Sequence, residues 1–149
     1  MALFVINEWL WADLSGANGI EHQREALVVI EKLPTSNHKI IIIEGSQFDQ
    51  KAWILCKNTS PMIVQRIGGA YVAEIRQNSD RCLILKPEAV VPLPDELASL
   101  VKVDDHYLIQ AQLTVEGAIL VTTDNPLREI LSKAGLNSLS REDFLKTYF

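Results

Sequence analysis

The sequence predicts an α/β fold, a three-layer domain with a central, mainly parallel sheet of four or five strands. Three observations carry this. Short apolar runs rich in β-branched residues, such as residues 39–44 (KIIIIE) and 118–122 (AILVT), read as strands buried on both faces. Longer stretches with helical spacing separate them, and alternating buried strands and amphipathic helices make a parallel sheet covered by helices. The chain of 149 residues, 48% hydrophobic and 22% charged, suits a single domain over residues 1–149 with a real core.

The elements follow in order. Residues 2–6 (ALFVI) form a first strand, and Asn7 and Glu8 lead through Trp9 and Trp11 into a short helix. Residues 15–19 (SGANG) make a turn, 21–32 a helix with Leu27, Ile30 and Leu33 among its buried positions, and 34–37 a loop. After the strand at 39–44 come helices at 47–57 and 61–77, the latter weakened by Gly68 and Gly69. Residues 81–86 read as a further strand, Pro92 and Pro94 as a break, and 95–100 as a short helix. A helix from Asp105 to Glu116 then feeds the strand at 118–122. Pro126 opens a helix at 125–134 that Gly135 ends. Residues 136–139 form a short edge strand, and Ser140 with Asp143 three residues on resembles a capping box for the last helix.

The chemistry concentrates in residues 102–124. The helix from Asp105 is about 16 Å long at ~1.5 Å per residue, and the strand after it is about as long at ~3.3 Å per residue. A helix packed antiparallel on the strand that follows it starts near where that strand finishes. Asp104 and Asp105 are therefore expected beside Asp124, at the carboxyl edge where open α/β sheets place their sites. Gathered carboxylates bind a divalent metal. The plainer reading is capping: Asp104 and Asp105 at one helix start, Asp124 in Asp-Asn-Pro at another. Both roles can hold at once.

Other residues have plainer readings. His106 is expected to face solvent, with a substrate contact as the alternative. Trp9 and Trp11 are expected to be buried or to form a dimer surface rather than stack on bases. Thr122 and Thr123 are placed to orient a carboxylate. Gly68-Gly69 lacks the context of a phosphate loop and reads as a bend or tight packing point. Arg66, Arg76, Arg81 and Lys86 read as a solvated face, with a sparse basic rim for RNA as the alternative. Cys56 and Cys82 lack metal-ligand spacing and read as core thiols. The net charge of −5 argues against broad electrostatic nucleic-acid binding, though not against a nucleic-acid substrate at a metal site. No apolar run is long enough for a membrane span and no signal-peptide layout is seen, which predicts a cytoplasmic protein.

Asp104-Asp105 with Ala111, then Gly117-Ala118, Leu120-Val121-Thr122 and Asp124, then Leu127 and residues 140–145 (SREDFL), resemble the C-terminal half of a PIN domain. The match covers roughly the last 45 residues, and element order extends it over the rest. The family is similar in fold to FEN-type nucleases. Its members are mostly Mg²⁺- or Mn²⁺-dependent ribonucleases, many of them toxins of VapBC toxin–antitoxin pairs, with a site of three or four acidic residues.

The resemblance implies a metal-dependent endoribonuclease with Asp105 and Asp124 as principal ligands and Asp104 beside them. The family's first acidic position falls on Asn7, with Glu8 adjacent. The second falls near 49–53, with Ala52 at the best register, Asp49 one turn earlier and Glu44 at the end of the second strand. RNA, a small antitoxin and a second copy of the chain are the implied partners. The rival expectation is a PIN-like binding or scaffold protein that has lost catalysis. An unrelated nucleotide-binding α/β domain is a third, disfavoured by the absence of a Gly-rich phosphate loop.

Overall fold

A computed structural model describes residues 1–149. Its centre is a five-stranded sheet in the order β3-β2-β1-β4-β5, every neighbouring pair parallel. The strands are β1 (Leu3–Ile6), β2 (Lys39–Ile43), β3 (Cys82–Leu85), β4 (Ile119–Val121) and β5 (Ser138–Leu139). The helices are α1 (Trp9–Leu14), α2 (Ile20–Lys32), α3 (Gln47–Leu55), α4 (Met62–Tyr71), α5 (Asp95–Leu100), α6 (His106–Thr114), α7 (Asn125–Lys133) and α8 (Arg141–Tyr148).

Alternation along each strand divides the core into two layers. Phe4, Ile6, Ile40, Ile42 and Val121 face α1 to α4 and α8, where Leu10, Leu14, Val29, Ile67 and Phe144 meet them. Val5, Ile41, Ile43 and Leu120 face the other way, onto Leu108, Ile109, Leu127 and Leu131 of α6 and α7. The strands are apolar on both sides because both sides are covered.

Winding fixes where a crevice opens. From β1 the chain moves outward to β2 and β3, then crosses back over β1 to β4 and on to β5. The direction reverses between β1 and β4, whose registers pair Phe4 with Ile119 and Ile6 with Val121. At such a reversal the loops leaving the two carboxyl ends turn to opposite faces, and the gap between them is where open α/β sheets bind ligands. Residues 7–8 leave β1 and residues 122–124 leave β4 at this point.

Local departures from the expected elements have simple causes. The helix expected from Asp105 begins with a 3₁₀ turn at Val103–Asp105 and becomes α-helical at His106. Gly68 does not bend α4. A Cβ there would lie 2.8 Å from Cys56 Sγ and 3.0 Å from Leu55 Cβ, so the glycine permits close approach to the end of α3. The helix continues past Tyr71 into a π-helical turn at Val72–Arg76. No helix is long and apolar enough to cross a membrane.

Candidate functional site

Four chain segments meet at the carboxyl edge of the sheet. Asn7 continues the β1–β4 ladder, its N–H donating to the Val121 carbonyl at 3.0 Å. Its side chain ties the two strand ends together: Nδ2 donates to Thr122 Oγ1 at 3.0 Å, and Oδ1 accepts from the Glu8 N–H at 2.7 Å. Thr122 is fully buried, and its Oγ1 also accepts from the Asp124 N–H at 3.2 Å. Asn7 and Thr122 thus set the direction in which the chain leaves each strand, and with it the placement of Glu8 and Asp124.

Asp124 caps α7, as its Asp-Asn-Pro context predicts: Oδ1 accepts from the Leu127 N–H at 3.0 Å, which leaves the second oxygen outside the cap. Asp105 occupies the N-cap position of α6 but makes no capping hydrogen bond. The capping reading therefore accounts for Asp124 in part and for Asp105 not at all. Asp105 and Asp124 line one small cavity of about 80 Å³, with Lys102 at its rim and Val101 and Leu127 among its apolar walls. Burial pushes the Asp105 carboxyl above the usual carboxylate range, and the charges of Asp124 and Glu8 push it further; Lys102 opposes them, and Asp104 adds the smallest contribution. Asp104 is exposed and stands outside the cavity.

Glu8, next to Asn7 at the end of β1, lines a separate cavity of about 220 Å³ with Trp11 and Lys51. Lys51 Nζ of α3 lies 2.8 Å from its Oε1, although this buried oxygen has no well-aligned hydrogen bond. Tyr107, in the first turn of α6, completes the surroundings. Its hydroxyl is buried without a hydrogen-bond partner. Burial, then the Glu8 charge, push the phenol well above its ordinary range; the nearby Phe48 backbone N–H, short of hydrogen-bond geometry, pulls it back, and Asp105 pushes it up again. Nothing in the sequence singled out Tyr107 or Lys51. Both sit on helices far along the chain from Glu8, and only the winding of the sheet brings them to it.

Several other candidates are engaged elsewhere. Asp49 is buried; its carboxylate takes Arg76 Nε at 2.8 Å and Nη2 at 3.0 Å, and accepts the Gly45 N–H at 3.0 Å. Burial alone would raise the Asp49 carboxyl, but the Arg76 and Gly45 hydrogen bonds and the Arg76 charge lower it. Glu44 pairs with Lys86 at 2.7 Å on the surface. Arg81 donates to the carbonyls of Pro34, His38 and Asp80. Of the four residues of the basic rim, only Arg66 thus remains without such a partner. His106 does not face solvent as expected: it is half-buried, with Nε2 2.9 Å from the Val101 carbonyl, and fixes the turn before α6. Both tryptophans are buried with satisfied indoles, Trp9 Nε1 donating to Val121 and Trp11 Nε1 to Phe48.

No group of three or more His, Cys, Asp or Glu side chains stands at metal-holding geometry. The donor set that does share a cavity is two carboxylates. That suits a hard, water-rich ion such as Mg²⁺ or Mn²⁺, which takes one or two protein carboxylates and fills its shell with water and phosphate oxygens. It does not suit a closed tetrahedral zinc cage. The largest surface depression, about 610 Å³, lies along α7 and β5 between Arg128, Glu129 and Asn137. It is polar and open, and contains neither Asp105 nor Asp124. The smaller cavity is therefore the better candidate.

No protein-family model matches this chain, and no curated protein matches it.

Proposed function

We propose that this protein is a metal-dependent endoribonuclease of the PIN type, working at the crevice between β1 and β4. One observation carries the reading: Asp105 and Asp124, nineteen residues apart in sequence, line one cavity at the sheet's reversal point, and neither forms an ion pair. Holding two like charges together in a partly buried place costs stability. An arrangement of that kind belongs to sites that work on a cation.

In this reading Asp105 and the free oxygen of Asp124 hold the ion, and Asp104 adds negative potential from outside. The ion, Mg²⁺ or Mn²⁺, would supply an activated water and neutralise the phosphate. The chain's own part is positional. Asn7 and Thr122 fix the two strand ends, the Asp124 cap fixes one carboxylate, and Lys102 offers a cation at the rim to an RNA phosphate. Water adds to phosphorus as the P–O bond opposite it breaks; the leaving sugar oxygen keeps the electron pair and takes a proton from solvent, and the proton the attacking water loses passes to solvent. A cytoplasmic toxin of a toxin–antitoxin pair fits this activity, with a small antitoxin and a second copy of the chain as partners.

A second reading, a PIN-like binding or scaffold protein without catalysis, is favoured by one observation. The residues at the β1 end are already engaged, Asn7 with Thr122 and Glu8 with Lys51. Incubation of a mixed single-stranded and hairpin RNA pool in Mn²⁺, Mg²⁺ or EDTA separates the two, with the Asp105→Asn, Asp124→Asn double variant purified in parallel. The nuclease reading expects metal-dependent cleavage that the variant loses. A folded protein that cleaves nothing and binds no metal supports the scaffold, and equal cleavage by parent and variant marks a contaminating nuclease.

A further inference from the structure

Gly135, with a φ of +76°, turns the chain back at the end of α7, so that β5 runs beside the helix. Two sets of groups meet there. The first is a polar face of α7. Asn125, Arg128, Glu129 and Ser132 recur at helical spacing, away from Leu127 and Leu131 in the core, and line the open depression of about 610 Å³. Arg128 Nε is shielded from solvent without a hydrogen-bond partner, and Nη1 reaches only Asn125 Oδ1 at 3.5 Å. Neither Arg128 nor Glu129 belongs to an ion pair.

The second set is main chain. β5 is an edge strand, with β4 on one side and no strand on the other. Leu120 N–H donates to the Asn137 carbonyl and Thr122 N–H to that of Leu139, so alternation turns the N–H and carbonyl of Ser138 to the free edge. No loop takes up either group. An unpaired donor and acceptor on an edge strand are a template for another extended chain. Ser138 pairs with Leu120, whose side chain faces the layer of α6 and α7. A residue added opposite Ser138 points the same way, toward Arg128. We propose that this depression docks an extended peptide segment of a partner protein, which adds a sixth strand beside β5 and places an acidic side chain on the Arg128 guanidinium. β5 is only two residues long, so affinity and specificity fall mainly on the Arg128 contact.

Other occupants fit less well. A second copy would bring the same depression, concave against concave, and leave it unfilled. An RNA strand would find one cation next to the Glu129 carboxylate, in a chain of net charge −5, and would leave the main-chain pair unused. The depression contains neither Asp105 nor Asp124, so the docking site stands or falls independently of the nuclease reading.

Selection of a displayed library of random heptapeptides against the whole chain, with Arg128→Gln in parallel, tests this. Circular dichroism and melting temperature check that the variant folds. The expected result is a set of enriched sequences that share one acidic position. A synthetic peptide of that sequence should bind the parent in calorimetry and bind Arg128→Gln roughly tenfold more weakly. Exchanging the peptide's acid for its amide should abolish the difference, and saturating peptide should slow exchange of the Ser138 amide. Failure to enrich any sequence overturns the proposal. So do enriched peptides that bind Arg128→Gln as well as the parent, or that leave Ser138 exchange unchanged. A short oligouridylate bound by the parent and lost in Arg128→Gln would assign the depression to RNA, and a dimer in sedimentation that Arg128→Gln dissociates would assign it to a second copy; either also overturns the proposal.

Discussion

The helix layer made by α1 to α4 and α8 and the crevice at the carboxyl edge both contain sheltered acids, but they treat them in opposite ways. In the helix layer each buried carboxylate meets a guanidinium. Asp13, 1% exposed, takes Arg141 Nε at 2.6 Å and Asn18 Nδ2 at 2.7 Å. Arg141 donates further to the His22 carbonyl and lies 5.6 Å from the centre of the Trp9 ring, which ties α8 to α1 and α2. Asp49 has the bidentate Arg76 contact. In the crevice, Asp105 has Asp124 and Glu8 for its main charged neighbours, and its carboxyl is raised where that of Asp49 is lowered. An acid buried for structure is matched with a cation or with donors. An acid held among like charges opposes folding, and that marks the crevice as the place to look for function.

The contrast can be broken from the structural side first. Asp13→Ala removes the closest partner of Arg141, whose side chain is 4% exposed, and leaves it the His22 carbonyl at 3.4 Å and the Glu25 and Glu142 carboxylates at 3.6 and 3.8 Å. The expected loss is about 3–5 kcal/mol of unfolding free energy in a urea titration, the cost of a stranded buried charge. Asp49→Ala is expected to cost less, about 2–4 kcal/mol, because Arg76 is 15% exposed and can reach water.

The pH dependence of Asp49 has a definite sign. Its folded carboxyl lies below the ordinary value, so its stabilising contribution is fully present above the unfolded pKa of about 3.9 and is lost as pH falls through the lower folded value. In paired thermal melts, the gap between parent and Asp49→Asn should hold steady from neutral pH downward and close only in strong acid.

A smaller loss is expected for Asn7→Ala, which removes the Asn7–Thr122 hydrogen bond and the acceptor of the Glu8 N–H. About 1–2 kcal/mol in denaturant unfolding would place it among ordinary partly buried hydrogen bonds. Amide exchange at Glu8 and Asp124 should quicken more than at the centres of β2 and β3.

The smallest effect has the opposite sign. The Asp105 carboxyl is raised on folding, so protonation favours the folded state. That stability is fully present below the unfolded pKa and is lost as pH rises through the folded value. Asp105→Asn should therefore melt about 1–2 °C above the parent at pH 7, a modest gain because the group is only partly buried. The advantage should vanish as pH falls below the carboxylate range. A melting temperature that drops at pH 7 would mean that Asp105 holds the fold together as Asp13 does, and the distinction between the two regions would fail.

The order of elements could be read from residues because local pattern fixes it. Residues 39–43 can only be a strand buried on both faces, α5 follows directly on Pro94, and Ser46, Asp124 and Ser140 each cap the helix they precede. The approach of Asp105 to Asp124 was also accessible, since a helix and the strand after it are neighbours whose lengths fix where their ends meet. The partners of charged side chains were not. Arg76 looked like part of a basic rim, yet it belongs to Asp49, 27 residues away; His106 looked solvated, yet it holds the Val101 carbonyl.

The sequence alone thus determined a parallel α/β sheet with Asp105 and Asp124 at its carboxyl edge, because periodicity, caps and element lengths are local quantities. Only the tertiary structure decided which acids are neutralised and which are not. Asp13 finds Arg141 across 128 residues, and Glu8 finds Lys51 across the ends of β1 and β2. Electrostatic pairing depends on distance in space, and in this fold that distance is set by strand order, which no local pattern encodes.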